Sequence, residues 1–215
     1  MDAVLRRLLA AALIALLALG AASAQEPPLA NGVFLVAKPD LLDPNFRETV
    51  VLITQPEVGG GPLGVIVNRP IAVHLSQVLP QIGSVPERFE QIYGGGPVMP
   101  NGLIFLVRTQ QRIEHAWQVL GDVYMSGDLD VLRKVLSGQL KAEALRAYAG
   151  YAGWAPGQLQ NEIRRGGWYV VNADAETIFA ADASRVWRDL VEKVTTHHTR
   201  LELDPGCCTN GGLEN

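Results

Sequence analysis

Short runs of β-branched and aromatic residues, separated by turn-forming residues, constrain the fold of this chain more than any other sequence feature. Such runs are typical of β-strands, because branched and ring side chains pack well on a pleated surface. Strands are predicted at residues 33–38, 49–55, 64–69, 103–108, 121–125, 168–172 and 176–180. Most of them precede the helical patterns and do not alternate with them regularly. This order favours one α+β domain over a doubly wound α/β sheet.

Helical periodicity is concentrated in the second half of the chain. One helix is predicted to begin behind Ser126 or Asp128, either of which can cap its first turn. Two more are predicted at residues 141–148 and 156–165, where a proline stands at the start and glycines follow the end of the second. The last predicted helix begins behind Asp182 and carries one apolar stripe. That stripe consists of Val186, Leu190, Val191 and Val194, and we expect it to pack against the sheet.

The N-terminus has the order of features that marks a secretory signal peptide. Arg6 and Arg7 precede twelve uncharged apolar residues, and a run of small residues then ends with the Ala22 and Ala24 pair. We therefore predict a signal peptide at residues 1–24, cleavage after Ala24, and a periplasmic or secreted mature protein. A spanning helix needs roughly 20 apolar residues, so no stable membrane span is expected after cleavage. An uncleaved anchor and a cytoplasmic protein are the alternatives.

Charge and cysteine content exclude some partners and some sources of stability. The chain has 18 Lys and Arg against 22 Asp and Glu, which gives a formal net charge of −4. A nucleic-acid partner is disfavoured, because such interfaces depend on Lys and Arg that displace counterions. The two cysteines, Cys207 and Cys208, are adjacent, so a bond between them would close no long loop. Stability must therefore come from a hydrophobic core, which a chain of this size can bury.

Four motifs rich in glycine, proline and aromatic residues follow one another along the chain. They are Phe34-Leu-Val-Ala-Lys-Pro with Asp43-Pro-Asn-Phe, Gly64-Val-Ile-Val-Asn-Arg-Pro70, Tyr93-Gly-Gly-Gly-Pro97, and Gly150-Tyr-Ala-Gly-Trp154 leading into Gly157-Gln-Leu-Gln-Asn-Glu-Ile163. Their order and spacing resemble the YqgE/AlgH family of bacterial proteins over most of residues 32–194.

This resemblance implies a compact α+β fold, in which a branched antiparallel sheet rolls into a partial barrel with flanking helices. The chain would then consist of a signal peptide at 1–24, a YqgE/AlgH-like domain at 32–196 and a flexible C-terminal tail at 197–215. The resemblance implies no settled activity, since the family is largely uncharacterised. Some of its members are labelled regulators of exopolysaccharide synthesis or of transcription.

Two of the motifs supply candidate ligands for an anion. Arg69 offers a planar two-pronged donor to a carboxylate or phosphate, and Asn68 offers both a donor and an acceptor. Gly94 and Gly95 can present successive backbone N–H groups to the same kind of ligand. The alternative is structural: Asn68 and Arg69 tie the turn before Pro70 to neighbouring backbone, and the glycines permit a close crossing of chains.

A second set of candidates surrounds the helix predicted after Pro156. Tyr151 and Trp154 lie among small residues just before it, and Gln158 and Glu162 are four residues apart and share one of its faces. These side chains can line a pocket, and the free N–H groups of the first turn can receive an anion. The alternative is that the two aromatic residues fill the end of the barrel.

Residue types used in hydrolases and zinc sites occur without the matching spacing. Ser126, Asp128 and His115 do not form a G-x-S-x-G or S-x-x-K pattern, and helix capping explains the first two without chemistry. The tail carries four residues of the kinds that zinc accepts. They are His197, His198, Cys207 and Cys208, whose spacing matches no zinc motif. We therefore predict neither a metal nor another cofactor, and no catalytic residue.

Taken together, the sequence favours a non-enzymatic ligand-binding, protein-binding or regulatory module of the cell envelope. Its expected partner is a small anion or another protein. The alternatives are a periplasmic ester or amide hydrolase that uses Ser126 or a tail cysteine, and a cytoplasmic regulator associated with transcription.

Overall fold

The computed structural model describes residues 32–55 and 60–202. The predicted signal peptide, residues 56–59 and the chain beyond residue 202 lie outside the described residues. Within the described ranges the chain forms ten strands. They are β1 (Val33–Ala37), β2 (Val50–Gln55), β3 (Leu63–Ile66), β4 (Pro70–His74), β5 (Gln91–Gly94), β6 (Val98–Arg108), β7 (Trp117–Leu120), β8 (Val123–Ser126), β9 (Ala144–Gly153) and β10 (Trp168–Asn172).

Five α-helices accompany these strands in the described part of the chain. They are α1 (Leu75–Val78), α2 (Leu129–Leu136), α3 (Gln158–Arg164), α4 (Ala175–Ile178) and α5 (Ala183–Glu202). Two short 3₁₀ turns, Pro80–Ile82 and Glu87–Phe89, lie between α1 and β5. Helix α5 continues beyond the predicted domain boundary at residue 196. None of the described helices is long and apolar enough to cross a bilayer.

The strands form one branched sheet in the order β10-β1-β2-β3-β9-β6-β8-β7, and β5 leaves this path to pair with both β4 and β9. Strand β5 runs parallel to β9, whereas the other described pairs are antiparallel. The sheet curls so that its far strand β7 approaches β2, and a Cβ placed on Gly32 would lie 3.0 Å from the Cβ of Leu120. The result is a single domain with a half-barrel of curled antiparallel sheet, as expected.

Strand β9 occupies the place where residues 141–148 were predicted to form a helix, and that prediction is wrong. Its Ala, Leu and Arg residues are good helix formers, but β9 pairs with three other strands, β3, β5 and β6. Leu145 and Ala147 join one hydrophobic cluster and Tyr148 joins another, as alternation along a strand requires. Packing in the sheet centre therefore overrides local helical preference.

A second error concerns residues 176–180, predicted as a strand and found mainly in helix α4. The Asp174 carboxylate caps this helix by accepting from the Thr177 backbone N–H at 2.7 Å. Strands β4, β5 and β7 were not predicted. Proline begins β4, glycine ends β5 and glutamine interrupts the apolar residues of β7, so none of them is a continuous run of strand-forming residues.

Helix α5 packs against the sheet through the apolar stripe that the sequence predicts. Val186 and Leu190 are buried in the same cluster as Phe34 of β1. The Trp187 indole Nε1 also donates a hydrogen bond to the Ala37 carbonyl at 2.7 Å. The long helix is thus fixed to the sheet by a packed stripe and by one polar contact.

Asp182, immediately before α5, provides a stabilisation that depends on pH. Its carboxylate accepts from the side-chain hydroxyl and the backbone N–H of Ser184, and these bonds lower the pKa of Asp182 below its ordinary value. Because the folded-state pKa is the lower one, the stabilisation is present above the unfolded-state pKa and is lost as pH falls through the folded-state pKa.

The expected consequence is measurable with Asp182→Asn, which keeps a capping oxygen but no titratable group. The difference in unfolding free energy between wild type and variant should be largest at neutral pH and should shrink towards zero as the medium is acidified. Urea unfolding over a pH series measures it. A difference that stays constant with pH would show that the Asp182 charge contributes nothing.

Candidate functional site

The structure divides the eight predicted ligand residues between two main places. One group lies at the β3–β4 turn and the end of β5, and consists of Asn68, Arg69, Gly94 and Gly95. The other lies around helix α3, and consists of Trp154, Gln158 and Glu162. Tyr151 stands between them on β9, opposite Val98 of β6, and is partly buried against the core. The two cavities described below are lined by other residues.

Asn68 extends the pairing of β2 and β3 with its side chain. Its Oδ1 accepts from the Val50 backbone N–H at 2.8 Å, and its Nδ2 donates to the Glu48 carbonyl at 2.9 Å. Arg69 donates from Nη1 to the Asn45 carbonyl at 2.8 Å, and partial burial lowers its pKa. Both side chains thus hold the turn to the segment before β2, and their role as anion ligands stays a prediction.

Gly94 and Gly95 lie where three strands cross at short distance. The Gly94 N–H donates to the Arg69 carbonyl and the Gly95 N–H donates to the Ala149 carbonyl, each at 2.8 Å. A Cβ on Gly95 would lie only 2.3 Å from the Gly150 carbonyl oxygen, which real contacts do not permit. The backbone N–H groups that were predicted to receive an anion are therefore used within the sheet.

An indole pair and one carboxylate organise the second group. Glu162 Oε2 accepts from the Nε1 atoms of Trp154 and Trp168, each at 3.0 Å, while its Oε1 accepts from the Gln158 amide at 2.9 Å. Phe46 stacks on Trp154 with ring centroids 5.8 Å apart. Glu162 thus connects two other predicted residues, Trp154 and Gln158, and Trp154 belongs to a hydrophobic core cluster.

The residues considered for hydrolysis have capping and loop positions. The Ser126 Oγ accepts from the Asp128 N–H at 3.1 Å, and the Asp128 carboxylate accepts from the Asp130 N–H at 2.8 Å as the cap of α2. His115 lies in the loop before β7 with a positive φ of 60°. The side chains of His197 and His198 and both cysteines lie outside the described residues.

A cleft that the sequence did not indicate lies beside β5 and β9. It has a volume of about 260 Å³, just below the roughly 300 to 1,000 Å³ typical of small-molecule pockets. Its lining includes two cations, one carboxylate and three aromatic rings. These are Arg88, Arg146, Glu143, Phe89, Tyr93 and Phe179. We call it the Arg146 cleft, because its least common feature is the burial of that arginine.

Arg146 is 7% exposed and has no salt bridge to a carboxylate among the described residues. Its Nη1 donates to the Val67 carbonyl at 3.1 Å, and its Nη2 donates to the Ala180 carbonyl. The guanidinium carbon lies 4.3 Å from the centroid of the Tyr93 ring, in a cation–π contact. A guanidinium has five N–H donors, so these contacts leave donors and an uncompensated charge at the cleft.

Tyr148 adds a second buried polar group to the same cluster of side chains. Its ring lies 5.7 Å from that of Tyr93. Its hydroxyl lies beside the Arg146 guanidinium, but it makes no hydrogen bond of normal geometry among the described residues. Burial raises the pKa of Tyr148 well above its usual range, and the nearby positive charge of Arg146 opposes this effect only in part. The phenol therefore stays neutral and can serve as a donor.

A family model described as AlgH-like matches residues 34–199 of the chain. The chain belongs to the AlgH-like family. Within it, a UPF0301 protein of Paracoccus denitrificans is 34% identical over 188 residues, which cover 82% of this chain and 95% of the relative. A UPF0301 protein of Chlorobium luteolum is 36% identical over 160 residues, which cover 74% and 82%.

Solved structures agree with the AlgH-like assignment. The solution structure of the AlgH protein from Pseudomonas aeruginosa matches with a TM-score of 0.60 and 29% identity, covering 85% of this chain and 95% of that one. A crystal structure of a protein from Corynebacterium diphtheriae matches with a TM-score of 0.67 and 27% identity, covering 79% and 88%. The α+β half-barrel is thus the family fold, and the resemblance stated from the motifs is confirmed.

A second cavity of the AlgH-like domain, of about 900 Å³, lies at the loop before β7. It is lined by residues that include Arg112, Glu114, His115 and Tyr124. The first three of these are exposed, so water already solvates their charges and polar atoms. This wider surface therefore lacks the buried, uncompensated charge that distinguishes the Arg146 cleft.

Proposed function

We propose that this AlgH-like protein is a non-enzymatic binding module of the cell envelope, and that its ligand is a small anion held by Arg146. The observation that carries the proposal is a buried arginine that has no carboxylate partner in the described part of the chain and that lines a cleft of about 260 Å³. The signal-peptide pattern at residues 1–24 supports the location.

Electrostatics favour an anion over a neutral ligand at this position. Burial of a charge costs several kcal/mol unless hydrogen bonds and an opposite charge compensate it. Two carbonyl oxygens and the Tyr93 ring compensate Arg146 only in part, since they bring dipoles and no negative charge. An anion in the cleft would supply the missing charge and would accept from the remaining guanidinium N–H groups.

The hydrogen bonds of Arg146 to two separate segments would allow a bound ligand to act on the fold, which supports a regulatory role. These hydrogen bonds reach Val67, next to the β3–β4 turn, and Ala180, in the link between α4 and α5. An anion bound to the remaining N–H groups would hold the guanidinium in place and so reinforce both contacts at once. Ligand binding would thereby influence how the long helix α5 is held against the sheet.

The test is thermal unfolding of the purified protein in the presence of acetate, benzoate, sulfate and inorganic phosphate. We expect at least one of these anions to raise the melting temperature in a saturable manner, because a ligand at about 100 times its Kd stabilises a fold by about 2.7 kcal/mol. Arg146→Gln keeps amide donors for the two carbonyls but removes the charge, so it should abolish the saturable increase.

Arg69→Gln is the matched control, since Arg69 is also partly buried but does not line the cleft. It should retain the wild-type response. If Arg146→Gln does not fold, Arg88→Gln at the exposed side of the cleft should weaken binding by about twofold to fivefold. A wild-type response in the Arg146 variant, or no saturable response of the wild type to any anion, would contradict the proposed site.

The envelope location has an independent test. Cell fractionation followed by N-terminal sequencing should find the mature protein outside the cytoplasm, beginning at Gln25. A cytoplasmic protein that retains residues 1–24 would contradict this part of the proposal and would favour the alternative of an intracellular regulator.

A further inference from the structure

We infer that the preferred ligand of the Arg146 cleft is a small monocarboxylate with a flat apolar body, and that Glu143 selects against dianions. The inference rests on the proposed function, because it specifies the chemical class of the anion. Two independent features of the lining support it, namely the balance of charges and the aromatic side chains.

The charges of the lining favour a single negative charge on the ligand. Arg146 is buried at the cleft, Arg88 is exposed, and Glu143 is half exposed. Two cations and one carboxylate leave one net positive charge. A monoanion neutralises that charge, whereas the second charge of a dianion is opposed by Glu143.

Glu143 is held in place by an ion pair outside the cleft. Its Oε2 lies 3.4 Å from Arg108 Nε, and the same arginine also pairs with Asp122 at 2.8 Å and with Glu176 at 3.2 Å. Arg108 therefore faces three carboxylates and does not fully neutralise any of them. Glu143 therefore keeps a negative potential at the cleft. This potential repels a dianion more strongly than a monoanion.

The aromatic lining favours a ligand with a flat apolar body. Phe89 and Tyr93 are buried, and Phe179 is partly buried. The guanidinium groups of Arg88 and Arg146 each lie over one of these rings, at 4.6 Å and 4.3 Å from the centroids of Phe89 and Tyr93. Aromatic rings and guanidinium groups are both planar, so a flat ring packs against this lining better than a compact tetrahedral ion does.

Isothermal titration calorimetry of the purified protein with benzoate, acetate and inorganic phosphate tests the ligand class. At about pH 8, where phosphate is mainly a dianion, we expect benzoate to bind at least tenfold more tightly than either of the other two. Acetate controls for the carboxylate without the apolar body, and phosphate controls for the additional charge. Phe179→Ala should reduce the advantage of benzoate over acetate.

Glu143→Gln tests the selectivity residue. The energy between a ligand and a fixed charge is proportional to the charge of the ligand. If the substitution increases benzoate affinity by some factor, phosphate affinity should therefore increase by about the square of that factor. Glu176→Gln is the matched control, because Glu176 also pairs with Arg108 but does not line the cleft. It should change the ratio of the two affinities by less than about twofold.

The outcomes separate this inference from the proposed function. Phosphate that binds more tightly than benzoate, with binding still lost in Arg146→Gln, would overturn the ligand class and leave the anion site intact. Equal gains for both ligands in Glu143→Gln would overturn the role of Glu143. Absence of saturable binding for all three probes would overturn both.

Discussion

Gly95→Ala should unfold this protein or destabilise it by more than about 4 kcal/mol, the range reserved for severe core disruption. The added Cβ would lie 2.3 Å from the Gly150 carbonyl oxygen and 3.1 Å from the Tyr148 Cβ. The first of these atoms belongs to the backbone of β9, so it cannot move aside as a flexible side chain would. Urea unfolding followed by circular dichroism measures the loss.

Gly127→Ala is the matched control for this prediction. Within 4 Å of its added Cβ there would be only the Leu103 carbonyl oxygen, at the ordinary contact distance of 3.7 Å. We expect its unfolding free energy to stay within about 0.5 kcal/mol of wild type. Similar stabilities of the two variants would show that the backbones beside Gly95 and Gly150 are not as close as described, and would remove the structural explanation of Gly95.

Glu162→Leu should destabilise the protein by about 2 to 6 kcal/mol, the sum for two unpaired buried donors. The substitution leaves the indole N–H groups of Trp154 and Trp168 without their acceptor, and an unpaired buried donor costs about 1 to 3 kcal/mol. Both tryptophans are more than nine-tenths buried, at 4% and 3% exposure. Urea unfolding gives the free energy, and tryptophan fluorescence reports the altered environment of the rings.

Two further variants separate the hydrogen bonds from the size and charge of Glu162. Glu162→Gln keeps one carbonyl oxygen as an acceptor and should cost about 1 kcal/mol. Glu192→Leu makes the same glutamate-to-leucine change on the exposed surface of α5 and should stay within about 0.5 kcal/mol of wild type. A Glu162→Leu variant as stable as Glu192→Leu would show that the carboxylate does not organise the tryptophan pair.

The sequence predicts the secondary structure of a segment best when the segment is apolar and is bounded by turns. Strands β1, β2 and β10 and helices α2, α3 and α5 coincide closely with their predicted ranges, because each has a clear pattern of branched or periodic apolar residues. Strand β9 could not be recognised in the same way. Its helix-forming residues become a strand only because neighbouring strands, distant in sequence, supply its hydrogen bonds.

The same error concealed the candidate site. On a helix over residues 141–148, Arg146 would not be distinguished from the other charged residues of the chain. On a strand, Arg146 and Tyr148 share one face and Leu145 and Ala147 share the other. An arginine between alternating apolar residues is therefore the signal that was present in the sequence, although only the fold places it beside Tyr93 and Ala180.

The central claim is that the Arg146 guanidinium holds the anion. Nuclear magnetic resonance of the arginine Nε–H groups during a titration with benzoate tests it most directly, because it observes that guanidinium. The Arg146 signal, assigned by its absence in Arg146→Gln, should shift saturably, since within residues 32–55 and 60–202 the carbonyls that Arg146 binds take Nη1–H and Nη2–H but not Nε–H. The Arg69 signal should remain in place. A saturable shift of Arg69 with an unchanged Arg146 signal would contradict the account.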